Sequence, residues 1–231
     1  MSNTQPDEAQ RLRDIAETRA FIDSALVGLF APEDAALTGA IEAAAANEMP
    51  AIQISPLQGK LLQVLAAACG AKKILEIGAL AGYSGIWLAR ALPPGGKLIS
   101  LEISEKHAQV ARASLERAGV ADRAEVRVGP GNALLPALEA EAPFDLVFID
   151  ADKPGYPTYL DWALKLTRPG SVIVADNCIR GGAPLRPGAE NDETTAGIAA
   201  YDQRVASDPR LLSVALPLDD DGMDGFAISV V

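Results

Sequence analysis

Short apolar segments that alternate with helix-length segments constrain the fold of this chain more than any other feature. The apolar segments have the length of buried strands and cover residues 73–77, 97–102, 124–128, 145–149 and 171–175. Between them, residues 83–92, 104–118, 132–141 and 156–167 have helical patterns. This alternation is typical of a parallel sheet whose strands are joined by right-handed helical crossovers. We therefore expect an α/β fold with helices on both faces of the sheet.

The last part of the chain follows a different pattern. A helix is predicted at 194–207, and two strands are predicted at 211–217 and 225–231. Residues 218–224 between these strands are too few for a helix, so the pair is expected to form an antiparallel hairpin. The segment 180–192 is rich in glycine and proline and is long for a connection, which favours a mobile active-site loop.

The first 50 residues are alanine-rich and have a helical pattern with a break at Ala31 and Pro32. Ser55 before Pro56 predicts the start of the next helix, which Gly70 would end. We interpret residues 1–50 as a helical extension and residues 51–231 as the main domain. The apolar face of the extension would either contact a second copy of the chain or cover a cleft in the main domain.

Charge and cysteine content restrict the partners of the chain. The formal net charge is −11, and an acidic surface disfavours nucleic acid and anionic membranes as partners. The polar N-terminus is not a signal peptide, and no apolar stretch approaches the ~20 residues that span a bilayer. Cys69 and Cys178 form neither a metal-binding motif nor a disulfide framework, which favours a cytoplasmic protein. The single histidine, His107, is expected on a helix surface, which argues against histidine-based catalysis.

Acidic residues follow two of the predicted strands. Asp150 and Lys153 follow the fourth strand, and Asp176 and Asn177 follow the fifth. Ligands of open α/β sheets bind beyond the carboxyl ends of the strands, where two carboxylates and an amide oxygen would suit a hard cation. Lys153 adds a candidate proton acceptor. A simpler interpretation, in which strand-end acids cap the following turns, explains one such acid but not Lys153 and Asn177 in matching positions.

The loop after the first strand indicates the kind of ligand. Gly78, Gly82 and Gly85 have the spacing G-x-x-x-G-x-x-G, which differs from the G-x-G-x-x-G of dinucleotide-binding folds and favours a nucleoside without a pyrophosphate. Glu102 ends the second strand, where its carboxylate can accept hydrogen bonds from both ribose hydroxyls, although a solvated acid is the alternative. Glu76 lies inside the first strand and needs buried donors, either a ligand amino group or backbone N–H groups.

Four sequence runs, in this order and spacing, resemble the class I S-adenosylmethionine-dependent methyltransferases: ILEIGALAGYSGIWLA, LEIS, FIDADK and VADN. They are more closely similar to the cation-dependent O-methyltransferases of the caffeoyl-CoA and catechol type. The resemblance covers residues 50–231 and, more loosely, the first 50 residues. It implies a Rossmann-like class I methyltransferase fold with a seven-stranded, mostly parallel sheet whose last strand is antiparallel. It also implies a homodimer.

The resemblance assigns roles to residues at matching positions. Asp150, Asp176 and Asn177 match the metal ligands, and Lys153 matches the general base, so Lys153 and Asp150 are the candidate catalytic residues. After the third strand the chain departs from the family pattern, and contacts to the adenine are expected to use the backbone there. Ile52 and Ile54, before the first core helix, match positions that line the cofactor pocket, and packing in the hydrophobic core is the alternative for both. The implied S-adenosylmethionine site consists of Ile52, Ile54, Glu76, Gly78, Ala79, Gly82, Tyr83, Ser84, Glu102, Ile103, Gly131, Asn132 and Asp150.

The implied activity is transfer of a methyl group from S-adenosylmethionine to a hydroxyl of a small catechol-like or phenolic acceptor. Mg²⁺ is the expected cation, with Mn²⁺ or Ca²⁺ as alternatives. The acceptor pocket is expected around residues 180–192, Tyr156 and the turn at 219–225. Arg180 and Arg186 would instead suit a caffeoyl-CoA-type ester, whereas the aspartates at 219–221 oppose it.

Two other classes of protein are less favoured. A nucleotide-binding oxidoreductase is opposed by the spacing of the first loop and by the lack of a Tyr-x-x-x-Lys motif. A non-catalytic nucleotide-binding protein would not need Lys153 beside the metal-type residues Asp150, Asp176 and Asn177.

Overall fold

Seven strands and eight α-helices are present in residues 8–218 and 223–231, which this computed structural model describes. The strands are β1 (Lys73–Ile77), β2 (Lys97–Glu102), β3 (Ala124–Val128), β4 (Phe144–Ile149), β5 (Thr167–Ala175), β6 (Leu212–Pro217) and β7 (Gly225–Val230). The helices are α1 (Glu8–Phe30), α2 (Ala35–Ala46), α3 (Pro56–Ala68), α4 (Tyr83–Ala91), α5 (Glu105–Arg117), α6 (Gly131–Leu134), α7 (Tyr156–Leu166) and α8 (Glu193–Ser207).

The strands form one sheet in the order β3-β2-β1-β4-β5-β7-β6. β1 to β5 are parallel, and β7 is antiparallel to both of its neighbours, β5 and β6. This confirms the predicted parallel sheet, the hairpin and the antiparallel last strand. The chain runs from β1 outward to β3 and then crosses to β4 on the other side of β1. Such a switch point leaves a crevice beyond the carboxyl ends of β1 and β4.

Helices cover both faces of the sheet, because successive residues of each strand point into two different cores. One core packs Ile74, Leu146 and Phe148 against α2, α3 and α4. The other packs Leu75 and Val147 against α7 and α8. Each fully buried aliphatic side chain contributes about 1.5–3 kcal/mol relative to an exposed one. The strand ends that border the crevice are therefore anchored on both sides.

The helical pattern predicted for the N-terminal region is confirmed. α1 ends at Phe30, and α2 begins at Ala35 with Asp34 as its N-cap. Ser55 and Gln58 form a capping box at the start of α3, in which each side chain accepts a hydrogen bond from the backbone N–H of the other. Among the described residues, no helix is long and apolar enough to cross a membrane.

The segment at 132–141, predicted as one helix, contains two. The four-residue helix α6 is followed by a 3₁₀-helix over Leu135–Glu141. Pro136 lies in the first turn of the 3₁₀-helix, where it has no N–H to extend α6, and its ring opposes an α-helical continuation. The tighter helix replaces the predicted α-helix for this reason.

The region around β5 also differs from the sequence prediction. β5 begins at Thr167 instead of residue 171, because the Pro-Gly pair at 169–170 is accommodated within the strand, where its register with β4 shifts. The following loop contains two short 3₁₀-helices, Arg180–Leu185 and Ala189–Asn191. The predicted mobility of this loop stays a prediction. The predicted turn between β6 and β7 is described only in part, since residues 219–222 lie outside the described residues.

Candidate active site

A cavity of about 700 Å³ lies beyond the carboxyl ends of β1, β2 and β4, at the switch point of the sheet. Most of the residues predicted from the sequence border it, although they come from six separate segments of the chain. Glu76, Gly82 and Asp176 do not line it. The predicted residues that do are Ile52, Ile54, Gly78, Ala79, Tyr83, Ser84, Glu102, Ile103, Gly131, Asn132, Asp150, Lys153 and Asn177.

The loop between β1 and α4 depends on glycine at two positions. Gly78 has a φ of 99°, and a Cβ there would lie 1.9 Å from the carbonyl oxygen of Asp150. The backbones that follow β1 and β4 therefore approach each other too closely for any side chain. Gly82 has a φ of 85° and precedes α4, where a Cβ would lie 3.1 Å from the carbonyl oxygen of Ala111. Gly82 thus shapes the loop from behind the cavity wall.

Glu102 joins the ends of β1 and β2. Its Oε2 accepts hydrogen bonds from the backbone N–H groups of Ala79 and Leu80, at 3.2 and 2.9 Å. Its Oε1 accepts from the N–H of Ser104 at 2.9 Å and lies 3.5 Å from Nδ1 of His107. An ionised carboxylate has about four acceptor sites. Three backbone N–H groups therefore already use part of the acceptor capacity of Glu102, and its contact with ribose hydroxyls stays a prediction.

Glu76 is fully buried within β1 and accepts hydrogen bonds of 2.5 Å from the hydroxyls of Ser84 and Ser100. Burial raises the pKa of Glu76 to about 7, although the two serine hydrogen bonds oppose this change. These two donors are serine hydroxyls, which the sequence analysis did not consider. Donation by a ligand amino group stays a prediction. Glu76 is connected to the cavity through Ser84, which lines it.

Lys153 is held between two oxygens. Its Nζ donates to Oδ1 of Asp150 and to Oη of Tyr156, both at 2.9 Å. Tyr156 is fully buried, and its hydroxyl donates to the carbonyl oxygen of Asp176 at 3.0 Å. Burial keeps the pKa of Tyr156 well above its ordinary value, so the hydroxyl stays protonated. Tyr156 therefore supports Lys153 from behind. The acceptor pocket was expected around Tyr156; Tyr156 itself does not line the cavity, whereas its neighbours Lys153 and Tyr159 do.

Asp176 and Asn177 lie at the end of β5. Asp176 is 5% exposed, and its Oδ1 accepts a hydrogen bond of 2.6 Å from the N–H of Asn177. Burial, together with the negative charge of Asp150, raises the pKa of Asp176 to about 8. Two neighbouring carboxylates and an amide oxygen form a donor set that fits a hard divalent cation. Among the described residues no group of three or more His, Cys, Asp or Glu is placed to hold a metal ion. The ligand set of Asp150, Asp176 and the Asn177 amide stays a prediction.

Several residues that the sequence analysis did not assign to the site also line the cavity, among them His107, Asp152 and Tyr159. His107 is half-buried against Glu102 and does not lie on a free helix surface. Asp152 and Tyr159 face the cavity together, and the Tyr159 hydroxyl donates to Oδ1 of Asp152. The run FIDADK contains Asp152, but its pattern does not distinguish this acid from Asp150. The contact between β2 and the first turn of α5 that brings His107 inward has no sequence signature.

Isoleucines form part of the cavity rim. Ile52 and Ile103 are 67% and 71% exposed, although both border the cavity. Ile54 is 5% exposed and belongs to the hydrophobic core as well as to the wall. The alternative of core packing, raised for both Ile52 and Ile54, therefore applies only to Ile54. A ligand that covers Ile52 and Ile103 would remove apolar surface from water.

The chain is similar to known O-methyltransferases over most of its length. The O-methyltransferase family matches residues 30–226. A catechol O-methyltransferase of Mycobacterium tuberculosis is 50% identical over 214 residues, which are 92% of this chain and 94% of the relative. A catechol O-methyltransferase of Niastella koreensis is 52% identical over 166 residues, 71% of this chain and 75% of the relative. The crystal structure of an O-methyltransferase from Bacillus cereus in complex with SAH superposes with a TM-score of 0.88 at 44% identity, covering 94% of this chain and 99% of the other.

Proposed function

The chain belongs to the O-methyltransferase family, and we propose that it moves the methyl group of S-adenosylmethionine to a hydroxyl of a small catechol-like acceptor with the help of a divalent cation. One observation carries this proposal: a single cavity is bordered by Glu102 on one side and by Asp150, Lys153 and Asn177 on the other. The first side suits a nucleoside, and the second suits a cation and a proton transfer. The Bacillus cereus relative was solved with SAH, which is what remains of S-adenosylmethionine after methyl transfer.

The part of the cavity nearest β1 and β2 would bind the cofactor. The backbone at Gly78 and Ala79 would approach its methionine part, with Ser84 beside it. Glu102, which already holds the loop after β1, would accept a hydrogen bond from a ribose hydroxyl. The remaining wall residues of this part are Ile52, Ile54, Tyr83, Ile103, Gly131 and Asn132.

Asp150, Asp176 and Asn177 would hold the cation through two carboxylates and one amide oxygen. Oxygen ligands of this kind are preferred by Mg²⁺, and Mn²⁺ or Ca²⁺ could use them as well. When bound, such a cation lowers the pKa of an acceptor hydroxyl and orients a vicinal pair of oxygens. A catechol carries such a pair, whereas a simple phenol does not.

Lys153 would take the proton of the acceptor hydroxyl at Nζ. Oδ1 of Asp150 and Oη of Tyr156 both lie 2.9 Å from this atom, so the amine has a defined position beside the candidate cation ligands. A positioned general base typically contributes ~10²–10⁴-fold to a rate. The other task of the protein is alignment, in which the cavity wall holds the acceptor oxygen in line with the methyl group.

Catechol-like acceptors are favoured over CoA esters by two observations. Both relatives described above are named catechol O-methyltransferases. Arg180 borders the cavity, but Arg186 lines a second cavity that α8 and the β6–β7 hairpin enclose. The two arginines that would suit a CoA ester therefore do not converge on one site. The aspartates at 219–221, which opposed a CoA ester, lie outside the described residues.

Methyl transfer from labelled S-adenosylmethionine to catechol, caffeate and caffeoyl-CoA would test the proposal. We expect transfer to catechol and caffeate, its loss in EDTA and its recovery with Mg²⁺ or Mn²⁺. Asp176→Asn should lose most of the activity, whereas Asp122→Asn, which changes an exposed acid paired with Arg123, should not. Full activity in EDTA would exclude a required cation, and transfer to caffeoyl-CoA alone would exclude the acceptor class.

We also infer that the protein is a homodimer that pairs through α1. Five apolar residues, Leu12, Ile15, Ile22, Leu26 and Leu29, are between 38% and 74% exposed. At 3.6 residues per turn they fall within about 100° of the circumference of α1, so they form one continuous stripe. None of the described α1 residues lines the cavity, which disfavours the alternative that α1 covers the cofactor cleft.

Sedimentation analysis would test this pairing. Ile22→Glu places a charge in the apolar stripe and should shift the protein toward monomer. Ser24→Glu adds the same charge on the opposite side of α1 and should leave the dimer intact. A wild-type protein that sediments as a monomer at micromolar concentration would contradict the inference.

A further inference from the structure

Asp224, which directly precedes β7, holds the loop that follows β5. Its Oδ1 accepts hydrogen bonds from the backbone N–H groups of Ile179, Arg180 and Gly225, at 3.1, 3.0 and 2.9 Å. Its Oδ2 accepts a hydrogen bond of 3.1 Å from the side-chain Nδ2 of Asn177. The side chain of Asp224 is thus the bridge between the β6–β7 hairpin and the candidate cation site.

The amide of Asn177 has two ends of similar size and opposite chemistry. Nδ2 can only donate hydrogen bonds, and Oδ1 can only accept them or bind a cation. A carboxylate can only accept, so Oδ2 of Asp224 attracts the nitrogen and repels the oxygen. Because the amide is planar, its oxygen is turned away from Asp224. Within the described part of the chain, Oδ1 of Asn177 accepts no hydrogen bond and stays available to a ligand in the cavity that Asn177 lines.

We infer that Asp224 is a positioning residue that presents the amide oxygen of Asn177 to the cation site. The inference rests on the proposed divalent cation and adds a residue that makes no contact with it. With Asp224 removed, the amide could rotate by about 180° and present N–H groups, which repel a cation. Partners that orient metal ligands from behind typically change metal affinity by ~10–100-fold.

Binding of Mn²⁺ to the full chain, measured from the electron paramagnetic resonance signal of free Mn²⁺, would test this role without any activity assay. Asp224→Asn keeps a carbonyl oxygen for the three backbone N–H groups, so the fold should be retained, as thermal unfolding would check. Its amide nitrogen would face Asn177 and turn the oxygen of Asn177 away from the cation. We expect the Kd for Mn²⁺ to rise by about 10–100-fold.

Two further comparisons separate orientation from loss of charge. In an Asn177→Ala background there is no amide to orient, so adding Asp224→Asn should change the Kd less than about twofold. The exchange variant Asn177→Asp with Asp224→Asn restores a matched pair. Its carboxylate at position 177 accepts a hydrogen bond from the amide at position 224 and offers its second oxygen to the cation. The Kd of this variant should return to within about threefold of the wild-type value.

Three results would overturn the inference. One is a wild-type Kd in Asp224→Asn. Another is an equal loss of Mn²⁺ affinity when Asp224→Asn is added to the wild type and to Asn177→Ala, because such a loss would come from the removed charge alone. The third, informative even if Asp224→Asn folds poorly, is an exchange variant that folds but binds Mn²⁺ as weakly as Asn177→Ala. A wild-type protein that binds no Mn²⁺ would instead refute the cation site itself, and with it this inference.

Discussion

Replacing Glu76 by Gln is expected to change how the stability of the protein depends on pH. Glu76 is fully buried and is bonded to the hydroxyls of Ser84 and Ser100. Burial raises its pKa from 4.5 to about 7, so the folded protein keeps a proton that the unfolded chain releases. Stability from this group is therefore fully present below pH 4.5 and is lost as the pH rises through 7. Gln resembles the protonated carboxyl and does not titrate.

The expected magnitude follows from the two pKa values. Each pKa unit corresponds to about 1.4 kcal/mol, so the whole shift corresponds to about 3 kcal/mol. Of this, about 2 kcal/mol should be lost between pH 5 and pH 7, with little further change above pH 8. Serine hydroxyls can donate or accept, so both ends of the glutamine amide introduced at position 76 should find partners. Glu76→Gln should thus gain stability relative to wild type as the pH rises.

Urea denaturation at pH 5, 6, 7 and 8, without cofactor and followed by tryptophan fluorescence, would measure this difference. Other titrating groups cancel when Glu76→Gln is compared with wild type, provided that the two proteins have equal m-values. Ser100→Ala removes a hydrogen bond that favours the ionised form of Glu76 and should therefore raise the pKa of Glu76. In this variant, the pH-dependent loss of stability should extend to higher pH than in the wild type. Parallel pH curves for wild type and Glu76→Gln would refute the reasoning.

Two more predictions concern the cavity wall. Lys153→Met should lower kcat by ~10²–10⁴-fold while calorimetry shows an S-adenosylmethionine Kd within about threefold of wild type; an unchanged kcat would remove Lys153 as the base. Gly78→Ala should lower the Tm strongly, since its Cβ would lie 1.9 Å from the Asp150 carbonyl oxygen. Gly28→Ala, in open space on α1, should leave the Tm equal or raise it, and a similar Tm for both alanine variants would contradict this account.

The sheet could be predicted from the sequence wherever a short strand-length segment ends at turn residues or at a helix start. β1, β2 and β3 have the predicted bounds, although β3 (AEVRV) alternates apolar with charged residues. β5 was predicted too short, since a Pro-Gly pair is typical of a turn unless the neighbouring strand shows that it is accommodated. Pro136 is a similar case. The sequence alone does not tell whether the segment around it forms an α-helix or a 3₁₀-helix, because the outcome depends on the surrounding backbone.

The place of a site residue was predictable where it depends only on the end of its own strand, as for Asp150 and Asp176, which follow β4 and β5. Contacts between distant segments were not predictable. Asp224 binds Asn177 from 47 residues away, and no local pattern marks that pairing. The serine donors to Glu76 were not foreseen either, since Ser100 comes from β2, which lies beside β1 in the sheet.

The position of β7 has a consequence for how the protein is made. β7 lies between β5 and β6, so β6 has no partner in the described sheet until β7 is in place. A nascent chain that has emerged as far as β6 would therefore expose an open edge on β5, a form of backbone that invites pairing with other chains. Asp224 enters the fold together with β7. The insertion of β7 that closes the sheet is then also the event that brings Asp224 against Asn177, so partly synthesised chains should lack the proposed positioning of that amide.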